Sequence, residues 1–238
     1  MAPPEAPAAM MDRIAGPFVA VADTREDLLD AGLFPEEEES VARAVPKRRR
    51  EYTTARACAR QAMAKLGVPP VPILSGPRGE PRWPDRVVGS MTHCDGYRGA
   101  VVGWSSDVTA IGIDAEPNAP LPDQVLEAVS LEAERSWIAE LTASRPETAW
   151  DRLLFSAKES VYKAWFPLTN KWLDFDNALI TVDPEQGTFH ARLLVPGPEV
   201  HGGPLTAFRG RWTVAEGIVL TAIVLTPPGS PPTGPPGS

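Results

Sequence analysis

The feature that most limits how this chain can fold is the run Ala110-Ile111-Gly112-Ile113-Asp114-Ala115-Glu116-Pro117, an apolar strand pattern into which two carboxylates are set. Side chains alternate between the faces of a strand, so Asp114 and Glu116 point one way and Ile111 and Ile113 the other. Two like charges on one face repel unless solvent, a cation or several donors separate them. In solvent the pair is an ordinary strand end running into Pro117-Asn118-Ala119-Pro120. Otherwise it asks for a hard, oxygen-ligated ion, magnesium or manganese. Further along, Phe155-Ser156-Ala157-Lys158-Glu159-Ser160-Val161-Tyr162-Lys163-Ala164-Trp165 reads as the middle of a helix with one acid between two lysines. Leu154, Phe155, Val161, Ala164 and Trp165 form its core-facing stripe, and Lys158, Glu159, Tyr162 and Lys163 fall elsewhere. A Glu159–Lys163 pair at i,i+4 is worth only about 0.3–0.5 kcal/mol, so alone it is a surface pair. Taken together, three acids and two lysines are what a divalent ion holding a phosphorylated ligand requires.

Punctuation divides the rest of the chain. Residues 1–15 are expected to be a flexible N-terminus, and residues 227–238, almost all Pro, Gly and Ser, a disordered tail. Phe18–Ala22 reads as a buried strand followed by an acidic surface segment. Pro46 opens a helix that Gly67 and Pro69-Pro70 close. Val87–Cys94 and Arg98–Trp104 read as antiparallel strands about a turn at Asp95-Gly96. Ser130 is placed as the cap of a helix through Leu141, and a second helix is placed over Glu147–Trp165. A loop with Asn170 suited to a left-handed conformation then leads to strands at Ala178–Val182, Thr188–Leu194, Leu205–Val214 and Gly217–Leu225. The expected class is α+β, with two similar halves at 16–112 and 113–226, each placing antiparallel strands against helices.

The helix opened by Pro46 starts oddly, because Lys47, Arg48, Arg49 and Arg50 crowd the end where the macrodipole is already positive. Each cation there costs up to about 1 kcal/mol. Either the cluster pairs with Glu36–Glu39 next door, or it faces an anion. Arg48, Tyr52 and Arg56 follow one another at four-residue spacing, which carries the cationic stripe beyond the first turn. Ser75-Gly76-Pro77-Arg78-Gly79-Glu80-Pro81-Arg82-Trp83-Pro84 is too broken for a helix or central strand and is a shaped loop with two more arginines. His93 ends a strand whose face also carries Ser90 and Thr92; such a histidine is structural or a ligand contact.

The net charge of −8 argues against nucleic acid or anionic membrane as a bulk partner. No apolar run is long enough for a membrane span, and no secretory signal is visible. Cys58 and Cys94 are too few for a disulfide framework or a zinc site, so a reducing cytoplasm is the expected setting.

Gly112-Ile113-Asp114-Ala115-Glu116 followed by Phe155-Ser156-Ala157-Lys158-Glu159-Ser160-Val161-Tyr162-Lys163 resembles the paired signature of the 4′-phosphopantetheinyl transferases of the surfactin-synthetase and enterobactin type. Met91-Thr92-His93 is similar to that family's upstream Ser-His element. The run from Arg48 to Arg60, Gly79-Glu80-Pro81-Arg82-Trp83-Pro84 and Trp165–Phe175 look like its actinobacterial members. The resemblance implies a pseudo-duplicated fold with the active site in the cleft between the halves. It implies a monomer that moves 4′-phosphopantetheine from coenzyme A to a serine of an apo acyl, polyketide or peptidyl carrier protein, releasing adenosine 3′,5′-bisphosphate. By position, it makes Asp114, Glu116, Glu159 and the Ala115 main chain ligands of magnesium. It sets Arg48, Arg56, Ser75, Gly76, Arg78, Thr92, His93, Lys158 and Lys163 on coenzyme A. Within it, Glu159 is the general base and Lys163 stabilises the developing charge. A two-metal phosphohydrolase and a non-catalytic coenzyme A or carrier-binding module are the alternatives the residues leave open.

Overall fold

A computed structural model describes residues 9–229. In chain order the elements are α1 (Asp12–Ala15), β1 (Ala20–Thr24), α2 (Pro35–Glu38), α3 (Pro46–Lys65), β2 (Leu74–Ser75), β3 (Pro81–Arg82), β4 (Val87–Cys94), β5 (Tyr97–Trp104) and β6 (Ala110–Pro117). They continue with α4 (Val125–Val129), α5 (Glu132–Ser144), α6 (Trp150–Thr169), β7 (Ala178–Asp183), β8 (Thr188–Leu193), β9 (Glu199–Val200), β10 (Gly203–Pro204), β11 (Ala207–Ala215) and β12 (Ile218–Leu225). Every strand pair among the described residues is antiparallel. The architecture is therefore α+β, as expected, with a three-stranded sheet ordered β1-β5-β4 and a five-stranded sheet ordered β6-β12-β11-β8-β7.

A helix of 20 residues lies on each sheet. Helix α3 turns an alanine-rich face, with Cys58, Ala59, Ala62 and Met63 fully buried, onto β1, β4 and β5, where Ala100 and Val102 receive it. Small side chains on both surfaces let helix and sheet approach closely. Helix α6 packs a heavier stripe of Trp150, Leu153, Leu154, Ala157, Val161 and Trp165 onto the second sheet. Its Pro167 has no N–H to offer the preceding turn, and the helix stops at Asn170 in the left-handed region expected for it, with φ 54°.

Strands β4 and β6 lie side by side at the join of the two sheets without exchanging main-chain bonds. Side chains bridge them instead: the Ile113 N–H donates to Ser90 Oγ and the Ala115 N–H to Thr92 Oγ1, both at 3.1 Å. The opposite edge of β6 pairs in full with β12, from Ala110↔Leu225 to Pro117↔Ile218. The join is thus a polar seam along β6, and the acidic motif lies on it.

The structure corrects several expectations. Residues 9–15, expected within a flexible N-terminus, carry a short helix whose flanking Met11 is fully buried with Ile14 against Tyr97, Val101 and Ile111. Their apolar side chains cover the outer face of the β6–β12 pair. Residues 1–8, and the tail from residue 230, lie outside the described residues. Ser130 is not the N-cap of α5 but the C-cap of α4: Leu131 takes the N-cap position of α5, and Glu134 accepts the Leu131 N–H at 2.7 Å. Helices α2 and α4 and the short strands β2, β3, β9 and β10 have no periodicity long enough to show in the sequence. Among the described residues no helix is long and apolar enough to cross a membrane.

Candidate active site

Helices α3 and α6 face each other across a cleft of about 520 Å³, lined also by β4, β6 and the loop after β2. The α3 wall is cationic. Among the described residues of its crowded start, Arg49 alone pairs within the acidic segment Glu36–Glu39. Lys47 pairs with Asp95, Arg49 with Glu38, Arg50 with Asp27 and Arg60 with Glu37. Arg48 and Arg56, one face along, line the cleft. Arg48 Nη1 donates to His93 Nε2. Guanidinium has no acceptor, so this bond makes His93 a neutral imidazole with its proton on Nδ1, which faces Glu51 at 3.8 Å. Burial first, and the Arg48 charge second, push His93 below the usual histidine value.

Arg56 is buried beneath that surface, its guanidinium 3.2 Å from the Tyr52 ring centre. It donates to the Ile73 carbonyl at 2.9 Å and to Ser75 Oγ at 3.0 Å. Burial, against the pull of Tyr52 and Glu37, lowers it to about 10, so it stays charged at neutral pH. Ser75 and Gly76 do not line the cleft, contrary to expectation. Ser75 is the acceptor that holds Arg56, and Gly76 leaves room for the Glu80 carboxylate, which a Cβ there would meet at 1.9 Å. Arg78 does line it, and leans across toward the Phe166 and Trp172 rings at 6.0 and 5.9 Å.

The opposite wall is acidic. As strand alternation requires, Asp114 and Glu116 share the face of β6 that meets α6, and Ile111, Ile113 and Ala115 pack on the other side. Asp114 is buried; its Oδ1 accepts from Thr92 Oγ1 at 3.1 Å and from Lys163 Nζ at 2.7 Å. Lys163 also donates to the Ile113 carbonyl at 3.0 Å. Glu116 is held by Arg152 at 3.1 Å, and Arg152 is itself fixed by the carbonyls of Ala119 and Pro120. Burial and then Asp114, against Arg152, push the Glu116 carboxyl up to about 7. Burial raises Glu159 too, against the Lys163 charge, and no hydrogen bond holds it among the described residues.

Asp114, Glu159, Thr92, His93 and Lys163 therefore share one cleft, whereas Glu116 is turned aside onto Arg152. Among the described residues no three acid, histidine or cysteine side chains lie within reach of one ion as they stand. The donors nonetheless fit a hard divalent cation. Asp114 Oδ2 is buried with no hydrogen-bond partner among the described residues, and carboxylate oxygens are the ligands such an ion takes; burial, before any neighbouring charge, is what raises the Glu116 and Glu159 carboxyls beside it. The N–H of Ala115 faces the seam, and in a strand the carbonyl of the same residue points the same way, which puts a main-chain oxygen on that edge.

Lys158 is not where the sequence pattern puts it. Its ammonium is buried between Glu134, at 2.8 Å, and the Phe175 carbonyl, at 2.5 Å, and it does not line the cleft. Burial lowers its pKa, against the pull of Glu134. Sequence reasoning also missed Arg152 and the hydroxyl cluster that sets α6 on β12. Ser156 and Ser160, both fully buried, meet Thr221 Oγ1 at 2.9 and 2.6 Å. Thr221 is the cross-strand partner of Asp114. Two serines at i,i+4 beside an apolar stripe were the available signal.

Residues 36–103 match a family described as the 4′-phosphopantetheinyl transferase N-terminal domain, and residues 110–201 match the 4′-phosphopantetheinyl transferase superfamily. The chain is 62% identical to 4′-phosphopantetheinyl transferase Svp of Streptomyces mobaraensis over 82% of its own length and 80% of that protein. It is 53% identical to 4′-phosphopantetheinyl transferase PptT of Mycobacterium tuberculosis, over 84% of this chain and 93% of that one. It is 33% identical to enterobactin synthase component D of Salmonella typhi, over 57% of this chain and 55% of that one.

Proposed function

The chain belongs to the 4′-phosphopantetheinyl transferase superfamily and is an enzyme of that class, and from that premise we propose a specific division of labour across its cleft. Coenzyme A binds with its nucleotide phosphates against Arg48, Arg56 and His93, and its pyrophosphate meets Lys163. The serine of an apo carrier protein approaches from the Glu159 side. The enzyme works in the cytoplasm as a monomer. The observation that carries this reading is the meeting, at Asp114, of a cationic wall from one half and an acidic wall from the other, with a buried carboxylate oxygen left unpartnered between them.

The transfer breaks the bridging P–O bond on the adenosine side of the phosphopantetheine phosphorus and forms a bond from that phosphorus to the serine oxygen. The leaving group is adenosine 3′,5′-bisphosphate. Glu159 accepts the serine proton, a role its freedom from other hydrogen bonds allows. Lys163, already bonded to Asp114 and to the Ile113 carbonyl, directs its remaining proton at the pyrophosphate and stabilises charge as the bond breaks. A divalent ion, magnesium, would be held by Asp114, Glu116, Glu159 and the Ala115 carbonyl, and when bound it neutralises non-bridging phosphate oxygens. Thr92 keeps Asp114 in place by donating to Oδ1 while it accepts from the Ala115 N–H.

Incubation with coenzyme A, magnesium and an apo carrier protein should add the mass of one phosphopantetheine to the carrier, and a chelator should stop the gain. Hydrolysis of coenzyme A without transfer would favour a phosphohydrolase instead, and binding with neither would favour a carrier module. His93 gives a second expectation. In the free protein its pKa lies below the ordinary value of 6.5, so it is neutral above that pH. A phosphate beside it favours the imidazolium and raises that value. Coenzyme A binding near pH 6.5 should therefore take up protons. Calorimetry in buffers of different ionisation enthalpy measures this, and a binding heat independent of buffer would remove His93 from the phosphate site.

A further inference from the structure

Two acids with no part in the chemistry above, Glu37 and Glu134, are completely buried. They occupy matching places in the two halves. Each is the third residue of its helix, α2 or α5, and turns back to accept the N–H of the residue before that helix, Phe34 at 2.9 Å or Leu131 at 2.7 Å. Its other oxygen accepts a main-chain N–H from beyond the long helix, Ile73 at 2.8 Å or Ile180 at 2.7 Å. Each then receives a cation from the long helix that walls the cleft, Arg60 at 2.9 Å or Lys158 at 2.8 Å. Short helix, strand segment and long helix are thus tied at one carboxylate, twice.

Both junctions end one step from the site. In the first half, Arg56 lies 3.9 Å from Glu37 and lines the cleft, and it carries the tie on to Ile73 and Ser75. In the second, Lys158 precedes Glu159 and binds the Phe175 carbonyl, while Ser156 and Ser160 hold α6 to β12. Helix α6 is therefore pinned by Lys158 and by the two serines, which fixes the direction in which Glu159 leaves it. Neither carboxylate touches the cleft, so any effect on the reaction passes through these neighbours.

We propose that Glu37 and Glu134 are positioning residues of the transfer reaction, Glu37 setting the Arg56 wall for the nucleotide and Glu134, through Lys158, setting Glu159 for the serine. This deepens the function proposed above and rests on it. The two junctions should then fail differently. Glu37→Gln should weaken coenzyme A binding about 10- to 100-fold, the range of partners that orient a ligand group, with kcat at saturation within about twofold. Glu134→Gln should lower kcat by a similar factor with coenzyme A affinity unchanged.

Either substitution leaves a cation of the long helix, the half-buried Arg60 or the buried Lys158, without its acid and threatens folding. The paired variants Glu37→Gln/Arg60→Met and Glu134→Gln/Lys158→Met remove that charge, and thermal melting is recorded for all four. The proposal stands if folded variants show the split between affinity and turnover, and if Glu37→Asp, which keeps the charge, recovers part of the binding. It is overturned if folded variants keep parental affinity and kcat, if both junctions lose the two together, or if the paired variants do not fold. Failure of the parent protein to modify a carrier strikes the function reading alone, because coenzyme A affinity of the Glu37 variants is measured without transfer.

Discussion

Glu159→Gln should lower kcat for carrier modification by about 10²- to 10⁴-fold, the usual contribution of a positioned general base. The substitution is nearly isosteric and removes no hydrogen bond among the described residues, so packing gives it little to disturb. Electrostatics favours the folded variant: burial is the main cause that raises the Glu159 carboxyl, and glutamine removes that desolvation cost and the smaller Asp114 repulsion while giving up a partly exposed attraction to Lys163. The melting temperature should therefore stay at or slightly above that of the parent while turnover collapses. Coenzyme A affinity measured in the presence of chelator should change little, since the nucleotide is held from α3. Full activity in a folded Glu159→Gln protein would remove this residue from proton transfer and leave the family assignment untouched.

Much of the fold was legible where one segment decides its own structure. Pro46 and Gly67 bracket α3, Asp95-Gly96 turns β4 into β5, Asn170 ends α6, and two acids on one face of β6 follow from strand alternation alone. Lys158 shows where such reasoning stops. Helical periodicity takes it off the core stripe, and a lysine off the stripe reads as solvated or as a ligand for anions. Its burial depends on Glu134, which arrives from another helix. Glu134 could be read as a first-turn acid of its helix, but its burial, and the role of Glu37, were hidden for a related reason. The capping pattern is recognised by a serine or threonine before the helix, and here those residues are Phe34 and Leu131, so only the returning glutamate remains. The seam between the sheets was equally silent, because Ser90 and Thr92 look like any polar strand residues until β6 lies beside them. Glu116 could be placed on its face from the sequence, but its turn toward Arg152 is set by the carbonyls of Ala119 and Pro120, which hold that arginine.

Gly112→Ala should be the most damaging single-methyl change at the site. A Cβ at Gly112 would stand 2.0 Å from the Ser160 carbonyl oxygen, 2.8 Å from the Ala164 nitrogen and 3.0 Å from the Ala164 Cβ. These are atoms of α6 itself, mostly backbone, so no side-chain rotation makes room and helix and strand must separate. Overpacking of this kind costs about 1–3 kcal/mol and more where backbone must move. Separation also loosens the Ser156 and Ser160 bonds to Thr221 and draws Lys163 and Glu159 away from Asp114. A displacement of about 1 Å can cost on the order of 10²-fold in turnover. Both a lower melting temperature and a loss of kcat beyond the unfolded fraction are therefore expected. Gly32→Ala is the matched control: a Cβ there would meet no neighbouring atom within 4 Å, and stability should stay within about 0.5 kcal/mol of the parent. If Gly112→Ala melted and turned over like that control, close contact of α6 with β6 would not be what places Glu159 and Lys163 against Asp114.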